Sequence, residues 1–219
     1  MGKRVVRNYH PYLMGYQNAL RDRRDFIWII LNVSKLLLLE RVEEIKQIDK
    51  GNVIINIDQM SRIFIIDNKK IHSFVYPFTI VSDHNGQLAI RYYGYNINLT
   101  MLSLLITSFN GLRHTNHSDL NSLSDAFLDG FEGIDSKEYD EDVLSKIYSY
   151  LLTFEIGYLR YDYDEENYGK NPVTHPLNHL DINFTSQGTY KIGLNKEVDI
   201  IKLIDVLNIQ IKPAFINIE

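Results

Sequence analysis

Residues 157–184, GYLRYDYDEENYGKNPVTHPLNHLDINF, contain two segments in which polar and apolar side chains alternate, joined by a long polar connection. Alternation with a period of two is typical of a β-strand, because successive side chains point to opposite faces of the sheet. The pattern predicts strands over residues 156–164 and 179–184. Strands that follow one another in sequence often pair, so we expect these two to be neighbours in one sheet.

Polar side chains share one face of each predicted strand. They are Tyr158, Arg160, Asp162 and Asp164 on the first strand and His179, Asp181 and Asn183 on the second. Neighbouring strands lie about 4.8 Å apart. If the two polar faces coincide, Arg160 and Asp162 come within a few ångströms of His179, and Asp181 joins them. The sequence therefore predicts a polar cluster on this sheet.

The connection between the two strands supports this prediction. It spans about fourteen residues, whereas hairpin loops are usually much shorter, and long loops are often functional. His175 lies in it directly before Pro176, and a following proline favours an extended conformation. We therefore expect His175 to join His179 in the same cluster.

This set of side chains suits metal-assisted hydrolysis. Neutral imidazoles and carboxylates are good ligands for zinc, manganese or iron, and a water bound to such a metal becomes a nucleophile at neutral pH. In this interpretation His175, His179 and Asp181 bind a divalent metal. Asp162 orients a ligand or acts as the base.

The same set also suits acid–base cleavage of RNA without a metal. His175 and His179 would act as base and acid, because histidine titrates near neutral pH without a perturbed environment. Arg160 would stabilise charge on the phosphorus oxygens. The predicted catalytic residues are His175, His179, Arg160 and Asp162. The predicted substrate contacts are Tyr158, Tyr161, Lys170 and Asn183. The sequence leaves open whether a metal is used.

A purely structural interpretation fits the same residues. Arg160 and Asp162 can form an ordinary ion pair, which is worth little at a surface. Tyrosines are common in strands for reasons of packing alone. The sequence thus leaves open whether the protein is an enzyme; if it is one, the predicted class is a hydrolase, and specifically a nuclease.

Other segments extend the predicted sheet. Residues 53–57 and 62–66 flank Asp58-Gln59-Met60-Ser61, which is a hairpin signal. Residues 74–81 and 87–95 flank His84-Asn85-Gly86, and Asn-Gly is preferred in tight type I′ turns. A further strand is expected at residues 189–194.

Helices are predicted between and after these strands from runs of apolar residues at helical spacing. The predicted helices cover residues 26–40, 99–109, 120–131, 143–151 and 198–207. Together with the strands they predict an α+β fold, with a mainly antiparallel sheet of hairpins covered by helices in a single domain.

The length and composition of the chain agree with one domain. The chain has 219 residues, 45% of them hydrophobic, as in ordinary folded proteins. We expect a single domain over residues 1–219, with a basic helical N-terminal segment at 1–50 and a core at 60–219.

Residues 1–24 carry six cations and one carboxylate, and residues 119–142 carry nine carboxylates and one lysine. The net charge of −5 argues against a generally basic nucleic-acid binder, though not against a local basic groove.

Several function classes are excluded. The absence of cysteine removes disulfides, thiolate metal sites and cysteine nucleophiles. The motifs of P-loop enzymes, dinucleotide enzymes, serine hydrolases and zincins do not occur. The most apolar run, residues 26–39, is shorter than the roughly 20 residues that cross a bilayer. We expect a cytoplasmic protein with no membrane partner.

The two predicted strands resemble the prokaryotic family named domain of unknown function 2290. The resemblance rests on Arg160-Tyr161-Asp162-Tyr163-Asp164 and on the His-Pro-x-x-His segment from His175 to His179. Residues 65–68 and 76–78 are similar to that family's central strand pattern, so the resemblance covers about residues 60–219. Asn68 stands where the family tends to have glycine, and Lys191-Ile192-Gly193 stands where it favours Arg-Ile-Pro. The second departure puts any role for a second arginine in doubt.

The resemblance implies an intracellular bacterial protein and carries no assigned activity. The Arg-Tyr-Asp strand followed by paired histidines is also loosely similar to small bacterial ribonuclease toxins, by analogy only. The leading hypothesis is an endoribonuclease-type effector of a toxin–antitoxin or anti-phage system. Its partners would be RNA or a nucleotide and a protein from the same operon. The alternative is a non-catalytic interaction or nucleotide-sensing subunit of such a system.

Overall fold

The computed structural model describes residues 4–8, 20, 22–39, 51–56, 60–67, 69–82, 87–113, 127, 139–185 and 188–208. These residues contain ten strands and five helices. The strands are β1 (Arg4–Asn8), β2 (Asn52–Asn56), β3 (Arg62–Ile66), β4 (Lys70–Val75), β5 (Thr79–Ser82), β6 (Leu88–Tyr92), β7 (Tyr95–Ile97), β8 (Leu159–Tyr163), β9 (Asn178–Thr185) and β10 (Gly188–Leu194). The helices are α1 (Arg23–Leu39), α2 (Leu99–Arg113), α3 (Glu141–Thr153), α4 (Glu165–Lys170) and α5 (Ile200–Leu207).

Seven of the strands form one antiparallel sheet in the order β1-β2-β3-β4-β8-β9-β10. Together with α4 and α5 they belong to a compact unit formed by the described parts of residues 1–14, 44–76 and 156–219. The predicted hairpin of β2 and β3 is present, and β8 pairs with β9 as the alternation indicated. The α+β class with mainly antiparallel sheets is therefore confirmed. The segment at 1–50 was predicted to be helical, but Arg4–Asn8 form the strand β1, which pairs with β2. The predicted boundary between this segment and a core at 60–219 stays a prediction.

One face of this sheet is apolar and lies against α5. The buried side chains of this cluster are Ile54, Phe64, Ile71, Leu159, Tyr161, Leu203 and Ile204. Asp199 caps the start of α5, because its carboxylate accepts a hydrogen bond of 2.8 Å from the Lys202 amide. Full burial of such an apolar side chain contributes about 1.5–3 kcal/mol. The packing of α5 leaves the polar side chains of β8 and β9 on the opposite face.

The prediction of one continuous strand over residues 74–81 is wrong. Strand β4 ends at Val75, and β5 begins at Thr79 in a different sheet. Pro77 lies between them and has no amide hydrogen to contribute to a sheet ladder. The Tyr76 amide donates instead to the Ser61 carbonyl at 2.7 Å. This break coincides with the limit of the first compact unit.

The second compact unit contains the three-stranded sheet β5-β6-β7 with α1, α2 and α3. Strands β5 and β6 pair antiparallel with Ser82 opposite Leu88, which confirms the predicted hairpin pairing. The predicted Asn85-Gly86 turn lies outside the described residues. In the next hairpin Tyr93 and Gly94 form the turn with φ of 45° and 90°. Positive φ at both positions is the signature of a type I′ turn.

The helices of the second unit follow the sequence prediction closely. Helix α1 is buried along much of its length, with Phe26, Ile27 and Ile30 fully inaccessible to solvent. The predicted helix at 120–131 lies outside the described residues apart from Phe127. Among the described helices, none is long and apolar enough to cross a bilayer.

Candidate functional site

The pairing of the strands places the candidate site residues on the face of the seven-stranded sheet opposite α5. A row of directly opposed residues crosses four strands: His72 on β4, Arg160 on β8, Asp181 on β9 and Lys191 on β10. In the next row Lys70 on β4 faces Asp162, Asp162 faces His179, and His179 faces Gly193. Directly opposed residues on paired strands point to the same face. The prediction that the polar faces of β8 and β9 coincide is therefore confirmed.

Arg160 joins the two carboxylates of the cluster. Its Nε and Nη2 donate to Oδ1 and Oδ2 of Asp162, each at 2.7 Å, and Nη2 also donates to Oδ2 of Asp181. A planar guanidinium suits this two-pronged contact with a carboxylate. Burial lowers the pKa of Arg160, but Tyr158 and the two carboxylates outweigh burial and raise the pKa overall. Arg160 is therefore a permanent cation of the cluster.

His179 is held by both of its ring nitrogens. Its Nδ1 lies 2.8 Å from the Pro176 carbonyl, which can only accept, so Nδ1 carries the proton in this contact. Its Nε2 lies 2.9 Å from Nζ of Lys191, an ammonium that can only donate. These two contacts define a neutral imidazole with its free electron pair on Nε2. The same Nε2 lies 3.6 Å from Asp162 Oδ2 and 3.7 Å from Asp181 Oδ1.

Lys191 belongs to the site, and sequence reasoning missed it. Its Nζ donates to Oδ1 of Asp181 at 2.8 Å and to Nε2 of His179. In the sequence Lys191 stood out only as a departure from the arginine of the family that the chain resembles. The signal that could have found it is the alternation of β10, which places Lys191 two residues before Gly193 and opposite Asp181.

The cluster is buried and balanced in charge. The two carboxylates are offset by one guanidinium and one ammonium, and the imidazole is neutral. The side chain of His179 is fully inaccessible to solvent, and those of Asp181 and Asp162 are exposed by 2% and 5%. The cations are more accessible, with Arg160 exposed by 14% and Lys191 by 30%. An approaching ligand therefore meets the cations before it meets the acids.

His72 and Tyr158 extend the cluster. Nδ1 of His72 lies 3.1 Å from the Tyr158 hydroxyl. Burial, with smaller effects of Arg160 and Lys70, lowers the pKa of His72 to about 3. Burial likewise raises the pKa of Tyr158 to about 12. Both side chains are therefore uncharged at neutral pH, so they shape the site without changing its charge.

The structure brings together a ligand set that differs from the predicted one. Asp162, His179 and Asp181 each offer a ligand atom, and these atoms lie within 4.8 Å of one another, so they can hold a metal ion. The predicted ligands were His175, His179 and Asp181; in the structure Asp162 takes the place of His175. His175 lies in the connection after α4, where its amide donates to the Asn171 carbonyl at 3.0 Å. Its Nδ1 is buried and has no hydrogen-bond partner among the described residues.

The predicted substrate contacts are distributed over different places. Tyr158 lies beside the cluster, as expected. Tyr161 lies on the opposite face among the apolar residues under α5, and its hydroxyl donates to Asn178 Oδ1 at 2.7 Å. Lys170 is exposed on α4 and pairs with Glu166 at 2.7 Å. The side chain of Asn183 lies outside the described part of the chain. The strand period explains the position of Tyr161, because odd and even residues of β8 point to opposite faces.

No family model, no curated protein and no solved structure matches this chain. The resemblance to the family of domain of unknown function 2290 therefore stays a prediction. The candidate site rests on its own geometry.

Proposed function

We propose that the protein is a hydrolase that cleaves phosphodiester bonds of RNA with the help of a divalent metal held by Asp162, His179 and Asp181. The observation that carries this proposal is the convergence of two carboxylates and a neutral imidazole within 4.8 Å. Imidazole and carboxylate ligands suit zinc, manganese or iron. A metal in such a site supplies a nucleophile at neutral pH by lowering the pKa of a bound water.

The two cations of the cluster would bind the phosphate. Arg160 and Lys191 are its most accessible charged groups; both buried carboxylates hold Arg160 in place, and Lys191 contacts Asp181 in the metal-free site. Charge-assisted hydrogen bonds from such groups stabilise the extra negative charge that develops on phosphoryl oxygens. Both mechanisms need Nε2 of His179, because Nδ1 is held by the Pro176 carbonyl, and in either case Lys191 must release that nitrogen.

A second candidate function is a non-catalytic subunit that binds a nucleotide or a protein partner. The burial of the acids and the hydrogen bonds that they accept from Arg160 and Lys191 favour it, since such a network presents mainly its cations to a ligand. A role in a bacterial toxin–antitoxin or anti-phage system, with a cytoplasmic location and an operon partner, is supported by the sequence resemblance alone.

The test is RNA cleavage by the purified protein. Total RNA is incubated with the wild type in Mn²⁺, Mg²⁺, Zn²⁺ or EDTA, and cleavage is expected only with a metal. Asp181→Asn and His179→Ala should each lower the rate by at least about a hundredfold, which is about 2.7 kcal/mol of transition-state stabilisation. Asp142→Asn, which removes an exposed carboxylate of α3, is the matched control and should cleave like the wild type.

Two results would decide against the hydrolase. Intact RNA under every condition, with a folded protein that binds nucleotides, would favour the non-catalytic subunit. Cleavage that persists in EDTA would remove the metal from the mechanism and restore the acid–base alternative.

A further inference from the structure

We propose that the ammonium of Lys191 occupies the metal position, and that a divalent cation enters the site only by exchange with it. This inference rests on the proposed function. It assigns to Lys191 the role of a resident cation, which keeps the buried acids neutralised while the metal is absent.

The distances make the two cations mutually exclusive. Nζ of Lys191 lies 2.8 Å from Asp181 Oδ1 and 2.9 Å from His179 Nε2, which belong to two of the three candidate ligand residues. A zinc ion needs bonds of about 2.0–2.2 Å to the same two atoms. An ammonium nitrogen and a metal cannot both contact these two atoms from the same side, because they would overlap. Metal binding therefore requires Lys191 to leave.

Charge leads to the same conclusion. The acids Asp162 and Asp181 are neutralised by Arg160 and Lys191, so a divalent ion added to the intact cluster would leave two uncompensated positive charges. Charges in a buried place interact strongly, because water screens them poorly. Departure of Lys191 relieves half of this excess.

Lys191 is the cation that can leave. Arg160 makes two contacts with Asp162 and a third with Asp181, and its side chain is exposed by only 14%. Lys191 is exposed by 30% and lies on β10, the last strand of the sheet in the described part of the chain. Its stem is long and flexible, so the ammonium can move into water.

The test is Mn²⁺ binding, measured by isothermal titration calorimetry on the full chain. Lys191→Met should bind Mn²⁺ about tenfold to a hundredfold more tightly than the wild type, because it no longer competes for the ligands. Lys196→Met, which removes an exposed lysine nearby in sequence, is the matched control and should bind like the wild type. Asp181→Asn should abolish binding in both backgrounds. Thermal unfolding gives a second measurement, since Mn²⁺ should raise the melting temperature of Lys191→Met more than that of the wild type.

The possible failures are distinguishable. If Asp181→Asn abolishes binding but Lys191→Met binds no more tightly than the wild type, the proposed exchange is wrong and the proposed metal site is retained. If folded wild type and folded Lys191→Met both fail to bind Mn²⁺, Zn²⁺ and Mg²⁺, exchange and the metal-dependent hydrolase both fail.

Lys191→Gln keeps a donor for His179 and replaces Lys191→Met if that variant does not fold. Failure of both variants to fold even with metal present would overturn exchange, because a replaceable cation cannot be essential for folding.

Discussion

At the scale of single residues, the candidate site is a buried network in which each acid has cationic partners. Asp181 contacts Arg160 and Lys191, and Asp162 receives both prongs of the Arg160 guanidinium. Burial makes such charges costly unless they are paired and hydrogen-bonded. Removal of one partner should therefore be far more damaging here than at the surface.

Arg160→Met should lower the free energy of unfolding by about 3–5 kcal/mol, because it leaves two buried carboxylates with one cation. Urea denaturation followed by circular dichroism measures this change. Lys170→Met is the matched control, since it breaks an exposed ion pair within α4 and should cost no more than about 0.5 kcal/mol. Similar costs for the two variants would contradict the buried network.

His72 should make stability depend on pH. Its pKa is lowered to about 3, mainly by burial, whereas an unfolded histidine has a pKa near 6.5. Below about pH 6.5 the unfolded chain binds a proton that the folded protein does not take up. The contribution of His72 is thus complete above about pH 6.5 and is lost as the pH falls towards 3, by up to about 1.4 kcal/mol per pH unit.

His72→Gln should remove this part of the pH dependence when urea unfolding is measured between about pH 4.5 and 7. Tyr158→Phe is the control. It removes the hydroxyl that lies 3.1 Å from Nδ1 but keeps the burial, so the slope should persist at a lower overall stability. An unchanged slope in His72→Gln would show that other groups cause the pH dependence.

At the scale of secondary-structure elements, the connection before β9 covers β10. The Pro176 carbonyl accepts the hydrogen bond from His179, and its ring lies against Gly193, where an added methyl group would require the ring to shift by a few tenths of an ångström. A Cβ atom at Gly193 would lie 3.1 Å from Pro176 Cγ and 3.3 Å from its Cβ. A proline ring has little freedom to move aside. The glycine thus allows Pro176 to lie against β10 beside His179.

Gly193→Ala should lower the free energy of unfolding by about 1–3 kcal/mol, because the methyl group pushes Pro176 away from β10. The His179 Nδ1 proton should also shift in nuclear magnetic resonance spectra as its contact with the carbonyl changes. Gly169→Ala is the matched control. Its Cβ would meet nothing within 4 Å in α4, so it should stabilise the protein by about 0.5–1 kcal/mol. A neutral Gly193→Ala would mean that Pro176 does not fit tightly against β10.

At the scale of the whole molecule, the net charge of −5 limits how the proposed RNA substrate could bind. A broad basic surface would contact many phosphates, whereas the face of the candidate site offers few cations: Arg160, Lys191 and Lys70, which lies opposite Asp162. The binding of single-stranded RNA should then depend only weakly on salt, since each phosphate contact contributes a slope of about −0.7.

The logarithm of the RNA association constant should fall with the logarithm of salt concentration with a slope of about −1 to −2, measured by fluorescence anisotropy in EDTA. Lys191→Met should make the slope shallower by about 0.7, and Lys196→Met should leave it unchanged. A slope steeper than about −4 would place the RNA on a different, more basic surface.

Local sequence was sufficient to predict much of the fold and most residues of the site. The alternation in β8 and β9 predicted both strands and their pairing, and hence the approach of Arg160 and Asp162 to His179 and Asp181. Alternation in the sequence predicts which side chains share a face of a strand, because the face to which a side chain points depends only on its position along the strand. The same alternation assigned Tyr161 to the apolar face, so its predicted contact with substrate conflicted with the pattern.

The tertiary structure alone decided the rest of the site. Lys191 and His72 enter it through the pairing of β10 with β9 and of β4 with β8, and His175 is replaced by Asp162 as a candidate ligand. The register between strands depends on how a whole face packs, and here that face is the apolar cluster under α5. The amino-acid sequence thus determined by itself which side chains are polar and which face of each strand they share. Only the folded sheet decided which of them meet, because residues far apart in the chain are brought together by long-range pairing.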